Sequence, residues 1–123
     1  MSSTDDLSDE QRRNHVRAPM SQPCIVHMYG EETLQCELRD LSGTGCSFRI
    51  GSHISTGQRG RIKIAFETWT LETTIVVKSV ASSGALSDVG AGFDSLLKAE
   101  IEQIVKEVFA QLRKSIRSQR IVD

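Results

Sequence analysis

Two arginines four apart, Arg13 and Arg17, and a short polar turn, Asp40-Leu41-Ser42-Gly43-Thr44-Gly45, are the residues of this chain best suited to chemistry. Arg12 stands directly before the first of them. A guanidinium is a planar fork that pairs bidentately with phosphate oxygens or with the O6/N7 edge of guanine. Its flat face also stacks on a base. A carboxylate at Asp40 can accept hydrogen bonds from guanine N1–H and N2–H₂, or hold an arginine in place. The Ser42 hydroxyl can donate to phosphate or orient its neighbours. Gly43 and Gly45 allow positive φ and close approach of a ligand to the backbone. These groups suit a small, doubly anionic, guanine-bearing ligand. Residues two apart point the same way in extended backbone, so Asp40 and Ser42 share a direction, in a turn expected to be exposed. The spacing of Arg13 and Arg17 puts them on one side of either an extended segment or a helical turn.

Each motif alone is common. Arginines four apart usually mark a solvated face, and Asp, Ser and Gly are the favoured residues of an ordinary β-turn. Other constellations are weaker. His15, His27 and His53 are scattered, with no metal-ligand spacing. His15, inside the arginine segment, reads as an exposed spacer within reach of a ligand. Neither a G-x-S-x-G nor a P-loop pattern is present, and nothing pairs a nucleophile with a base. No catalytic or metal-binding residue is assigned, and an enzyme is not expected. Cys24, Cys36 and Cys46 form an odd set without a C-x-x-C pair, which argues against a secreted disulfide framework and a structural zinc site. A reducing cytoplasm is the expected compartment. Cys24 and Cys36 fall on apolar strand faces and read as buried, inert thiols. Trp69 reads as half-buried packing near a turn.

Composition narrows the partners. The chain has 123 residues, 38% hydrophobic and 25% charged, as one small soluble domain would. Its net charge of −1 speaks against broad contact with nucleic acid or anionic membrane, so an anion site must be local. No apolar run reaches the roughly 18–20 residues of a membrane span, and no membrane insertion is expected. The acidic, polar start MSSTDDLSDEQ does not read as a signal peptide.

The elements that would position the two motifs follow from periodicity. Residues 1–11 read as a disordered acidic segment and 12–19 as a basic arm, extended because Pro19 disfavours helix at Ala18. Strands are expected at 23–29, 33–39, 46–50, 61–66, 70–80 and 89–93, with turns at Gly30-Glu31-Glu32 and 40–45 and loops at 51–57 and 82–84. The period then becomes helical: Leu97, Ile101, Ile104, Val105, Val108, Leu112 and Ile116 form one stripe, so 95–118 reads as an amphipathic helix with Ser95 as N-cap. Lys98, Lys106, Arg113, Lys114, Arg117 and Arg120 would occupy its solvated face. A tail at 119–123 is expected to fray. The fold class is mainly β: a six-stranded antiparallel β-barrel with a C-terminal α-helix, one domain over 12–118.

Taken together and in this order, R-x-x-x-R before the first strand and D-x-S-x-x-G after the second, the motifs resemble those of the PilZ domain family. The likeness extends over about residues 12–110 and includes a late G-x-G-F segment, Gly90-Ala91-Gly92-Phe93, leading into the helix. The resemblance implies a six-stranded barrel with a C-terminal helix and binding of cyclic di-GMP. It carries ligand contacts onto Arg13, Arg17, Asp40, Ser42 and Gly45. Arg12 matches the position thought to influence stoichiometry, which implies two ligand molecules per protomer. Many members have a stacking tryptophan at or near the position of Lys78, which is expected to contact the ligand instead by reaching a phosphate or base edge. The expected role is a non-enzymatic second-messenger receptor without a cofactor, whose arm rearranges and relays the signal to an unidentified protein partner. Two alternatives are an interaction adaptor of the same fold without nucleotide binding, and a small single-stranded nucleic-acid-binding barrel. Intact motifs weigh against the first. Aromatics at 5% and a negative net charge weigh against the second, so no DNA or RNA partner is expected.

Overall fold

The computed structural model describes residues 9–122, with side chains from Asp9 and Gln11 through Ile116. The elements are α1 (Asp9–Asn14), β1 (Ala18–Met28), β2 (Thr33–Leu41), β3 (Gly45–Ile50), β4 (Arg59–Ala65), β5 (Thr70–Ser83), β6 (Leu86–Asp94) and α2 (Lys98–Val122). The strands close into an antiparallel barrel in the order β1-β2-β3-β6-β5-β4. Alternating burial along each strand builds its interior, with Val26, Leu38, Phe48, Ile62, Ile64, Ile75, Val77 and Val89 inside. From α2, Ile104, Val105 and Val108 are buried as well.

Several boundaries differ from the periodic reading, each for a physical reason. The arm is not extended throughout: residues 9–14 form a helical turn, and Ala18 already belongs to β1. Residues 1–8 of the expected disordered segment lie outside the described residues. β1 tolerates Pro19 and Pro23 because its ladder with β4 begins only at Ile25, leaving one edge of the strand open before that point. β5 and β6 run on to a turn at Gly84, whose φ of 65° suits glycine. Ser95 does not cap α2. It has φ 62°, and the cap is made by Glu100 Oε1, which accepts from the Leu97 backbone N–H at 3.0 Å. Only the centre of the helical stripe is core; Leu97 is 69% and Ile116 53% exposed. The helix continues to Val122 rather than ending at 118, and the side chains of Arg117 and Arg120 lie outside the described set. Trp69 stacks on Phe66, with ring centroids 4.9 Å apart, and donates from Nε1 to Glu107 Oε1 at 3.0 Å, tying α2 to the β4–β5 hairpin.

Among the described residues no helix is long and apolar enough to cross a membrane. A row of charge crosses the outer face of the barrel. Glu37 is paired in register with Arg49, and Arg49 with Asp88. Arg49 Nε donates to Asp88 Oδ1 at 2.9 Å, and this bond holds the Asp88 carboxyl below its ordinary range. Bonds from Arg39 and Ser21 lower Glu37 in the same way. A carboxyl whose folded pKa is depressed stabilises the fold above its unfolded pKa, and that contribution is lost as pH falls through the folded value. Melting temperature is therefore expected to fall as pH drops below about 4. Asp88→Asn is expected to shallow that fall. An unchanged acid slope in the variant, read by thermal melts across pH, would remove Asp88 from this role.

Candidate functional site

The two motifs meet because the backbone joins them. The chain leaves α1 at Asn14, whose carbonyl oxygen accepts from the Gly43 N–H at 2.8 Å. Gly43 fits there for want of a side chain: a Cβ would lie 2.9 Å from both Asn14 O and Val105 Cγ2. Residues 15–17 then pass alongside β2 and enter β1, where Ala18 pairs with Leu41 and Pro19 with Asp40. The ladder between β2 and β3 slips by one residue between Leu38 and Asp40. That bulge re-aims the strand, so Leu38 and Leu41 are both buried while Asp40 turns outward. There Arg17 Nη1 donates to Asp40 Oδ1 at 2.7 Å. An ion pair this exposed stabilises by only about 0.2–1 kcal/mol, so Asp40 orients Arg17 without holding it fast.

Asp40 lies in β2 rather than in a turn, and Ser42 is not exposed: its relative accessibility is 0%. Its Oγ accepts from the Thr44 and Gly45 N–H groups, both at 3.2 Å, while its own N–H donates to the Gly45 carbonyl at 2.8 Å. The hydroxyl faces back into its own loop, so Ser42 does not share a direction with Asp40. Its role here is to fold the loop. Gly45 starts β3 opposite Gly92, and a Cβ at Gly45 would run into the Ala91 carbonyl. Phe93 N–H donates to Thr44 O at 3.0 Å, which fastens the loop to the G-x-G-F segment of β6.

Lys78 occupies a second bulge, where the β5–β6 register slips between Val77 and Ser79. Its aliphatic stem lies over Gly92, where a Cβ would sit 3.1 Å from Lys78 Cε. Arg17, Thr44, Gly45, Lys78 and residues 90–92 line a cavity of about 240 Å³. Its floor is glycine-rich backbone and its rim bears two cations. A larger cleft of about 570 Å³ opens between β1 and β4, around Gln22, Cys24, Lys63 and Phe66, and contains no residue of either motif.

Arg13 is placed elsewhere. Its Nη1 donates to Glu102 Oε2 of α2 at 3.2 Å, and its guanidinium carbon lies 5.9 Å from the Phe109 ring centroid. With Lys106, Phe109 and Arg113 it lines a separate cavity of about 320 Å³. Arg13 and Arg17 thus do not share a side. The helix ends at Asn14, so neither a helical nor an extended period holds across 13–17. Arg12 sits on the exposed last turn of α1. Among the described residues no group of three or more His, Cys, Asp or Glu side chains could hold a metal ion.

Sequence reasoning did not single out Asn14, Glu102 or Phe109. Asn14 acts through its carbonyl, which leaves no trace in residue type. Glu102, Lys106, Phe109 and Arg113 do recur at helical spacing, so this second stripe of α2 was there to be read.

The PilZ domain family model matches residues 11–110. This chain belongs to the PilZ domain family. Solved structures of similar fold include YcgR from Escherichia coli in complex with c-di-GMP, 20% identical over 92% of this chain and 51% of that one, with a TM-score of 0.75. The PilZ domain of the same protein with c-di-GMP is 16% identical over 89% and 98%, with a TM-score of 0.74. The Bacillus subtilis inhibitor of motility, MotI/DgrA, is 16% identical over 88% and 56%, with a TM-score of 0.70. At such identities these likenesses show the fold alone. The present chain spans about half the length of the YcgR and MotI chains. No curated protein sequence matches it.

In this PilZ domain, Ser42→Ala removes a buried acceptor and strands two N–H groups, and is expected to lower stability by about 1–3 kcal/mol in urea unfolding. Asp40→Ala is expected to change stability by less than about 1 kcal/mol. Equal, negligible losses in both variants would contradict the loop-folding role of Ser42.

Proposed function

We propose that this PilZ domain is a receptor, not an enzyme, for cyclic di-GMP. The observation that carries this reading is the pairing of Arg17 with Asp40 at the rim of a glycine-floored, cation-lined cavity. Family membership and the c-di-GMP complexes of its structural neighbours support the choice of ligand. Arg17 meets a phosphate or the Hoogsteen edge of a guanine, and Asp40 holds that fork or accepts from the guanine N–H groups. Gly45 and Gly92 let the ligand approach the backbone, with Ser42 shaping the loop from beneath. Lys78 supplies a point charge and an aliphatic surface where other members stack a tryptophan. A cavity of about 240 Å³ accommodates part of the ligand, and the arm covers the rest.

Arg13 then has to move. In the structure it is held by Glu102 and Phe109 on α2. Releasing it costs roughly 0.5–2 kcal/mol for an exposed ion pair and a cation–π contact. One charge-assisted hydrogen bond to the ligand returns about 1.5–3 kcal/mol. Ligand binding thus uncovers the Glu102–Phe109 face of α2, and that changed surface is what a protein partner reads. Arg12 adds a third arginine and its flat face, which suits two stacked ligand molecules whose phosphates repel one another.

Calorimetry with cyclic di-GMP is expected to give a Kd in the micromolar range or tighter, about 8 kcal/mol or more, with GTP and single-stranded DNA as weak controls. Arg17→Ala and Arg13→Ala are each expected to weaken binding tenfold or more, from a loss of ~1.5–3 kcal/mol. Glu102→Gln removes the competitor for Arg13 and is expected to strengthen binding about two- to fivefold. Stoichiometry is expected near two, falling toward one in Arg12→Ala. Both arginine variants binding like the parent would overturn the site. A parent stoichiometry of one, with active fraction verified, would overturn the paired-ligand reading alone.

A further inference from the structure

The strand that follows the arginine segment and the strand that holds Asp40 carry a pair of thiols. Cys24 of β1 and Cys36 of β2 are directly opposed in the antiparallel ladder. Opposed residues in such a ladder have Cα atoms about 4.5–5.5 Å apart, inside the range of about 4.4–6.8 Å that a disulfide spans. Their Sγ atoms lie 2.9 Å apart, and Cys36 Sγ is also 3.6 Å from the Cys24 carbonyl oxygen. Both cysteines are free.

Access is graded. Cys24 is buried, but it forms part of the wall of the cleft of about 570 Å³ between β1 and β4. Cys36 is half-buried. A molecule the size of hydrogen peroxide can therefore reach the pair in the folded protein. Cys46 differs. It is buried in β3 opposite Leu41 and Ala91, with no thiol across either ladder.

We propose that Cys24 and Cys36 are a redox modification site, which a hydroperoxide converts into a reversible disulfide that staples β1 to β2. In the first step the Cys36 thiolate attacks a peroxide oxygen. An S–O bond forms, the O–O bond breaks, and hydroxide leaves and takes up the proton that Cys36 released. Cys36 is then a sulfenic acid. In the second step Cys24 Sγ attacks Cys36 Sγ. The S–S bond forms, the S–O bond breaks, and the hydroxyl leaves as water with the Cys24 proton. Two thiols are oxidised by two electrons, and one hydrogen peroxide is reduced to two waters. Cys24 is the resolving thiol. It is the more buried of the two, and its hydrogen bond with Cys36, together with burial, raises it far above the ordinary thiol range, so Cys36 is the thiol a peroxide meets first.

The staple lies on the hairpin-turn side of the register shifts at Pro19–Gln22 and Leu38–Asp40, joining β1, into which Arg17 leads, to β2, which holds Asp40. It closes a short loop across the β1–β2 hairpin, which restricts the unfolded chain. The inference is independent of the ligand: it stands or falls on the thiols.

The full chain, reduced and then exposed to hydrogen peroxide in native buffer, is quenched with acid and alkylated after denaturation. The expected result is one alkylated thiol in place of three and, in a sample left unalkylated, a mass decrease of about 2 Da. Peptide mapping is expected to join Cys24 to Cys36, dithiothreitol to restore all three thiols, and oxidation to raise the melting temperature by several degrees. Cys46→Ala is expected to keep the mass decrease and Cys36→Ser to abolish it. Should Cys36→Ser fail to fold, the peptide map of the parent protein decides. Three persisting thiols, oxygen adducts on Cys36 without a cross-link, or only intermolecular dimers would each overturn the proposal.

Discussion

A single backbone hydrogen bond, Gly43 N–H to Asn14 carbonyl at 2.8 Å, holds together what the rest of the site requires. It fastens the end of α1 to the loop between β2 and β3, two segments remote in sequence. The path of residues 15–17 follows from it, and with that path the arrival of Arg17 beside Asp40. It also explains why position 43 is glycine. Asn14 approaches from one side and Val105 of α2 from the other, and a side chain would push one of them away. Arm, loop and C-terminal helix therefore meet at one residue without a side chain, and a shift in any of them is felt by the others.

Around that junction the barrel departs from regular pairing where departures serve the site. One bulge turns Asp40 outward to Arg17, and another places Lys78 over Gly92. A bulge leaves ladder groups unpaired, and glycine in a strand gives up both conformational restriction and side-chain packing. The core offsets both. Phe48, Leu38, Leu41, Ile62, Ile64 and Ile75 are fully buried, and the helix adds Ile104, Val105 and Val108. The scaffold is thus rigid where it must hold the loop, while Arg13 and Arg17 are each held by an exposed ion pair. Arg17 rests on Asp40 and Arg13 on Glu102. Such pairs orient a side chain and release it at little cost.

Most of the barrel was legible because its strands alternate and its helix carries an apolar stripe, signals that burial imposes directly on residue type. What was not legible depends on geometry that residue type does not encode. The alternation in β2 places Asp40 correctly only if the bulge at Arg39 is known, and bulges leave no reliable signature. Ser42 looked like a surface turn residue because Ser and Gly favour turns, yet its hydroxyl is buried under the loop that it folds. Ser95 has the chemistry of an N-cap, but Glu100 reaches back to Leu97 instead. Arg13 and Arg17 share a motif and point to different partners, since the helix stops between them. The opposed thiols at 24 and 36 became visible only with the register of β1 against β2.

On this reading cyclic di-GMP engages the arm, the loop and the β5–β6 floor together. The most direct test is a ¹H–¹⁵N NMR titration of the full chain with cyclic di-GMP. The account predicts shifts concentrated at Arg12–Arg17, Asp40–Gly45, Lys78 and Gly90–Gly92, and along the face of α2 that Arg13 leaves, around Glu102 and Phe109. Shifts gathered instead at Gln22, Cys24, Lys63 and Phe66, in the larger cleft between β1 and β4, would contradict it.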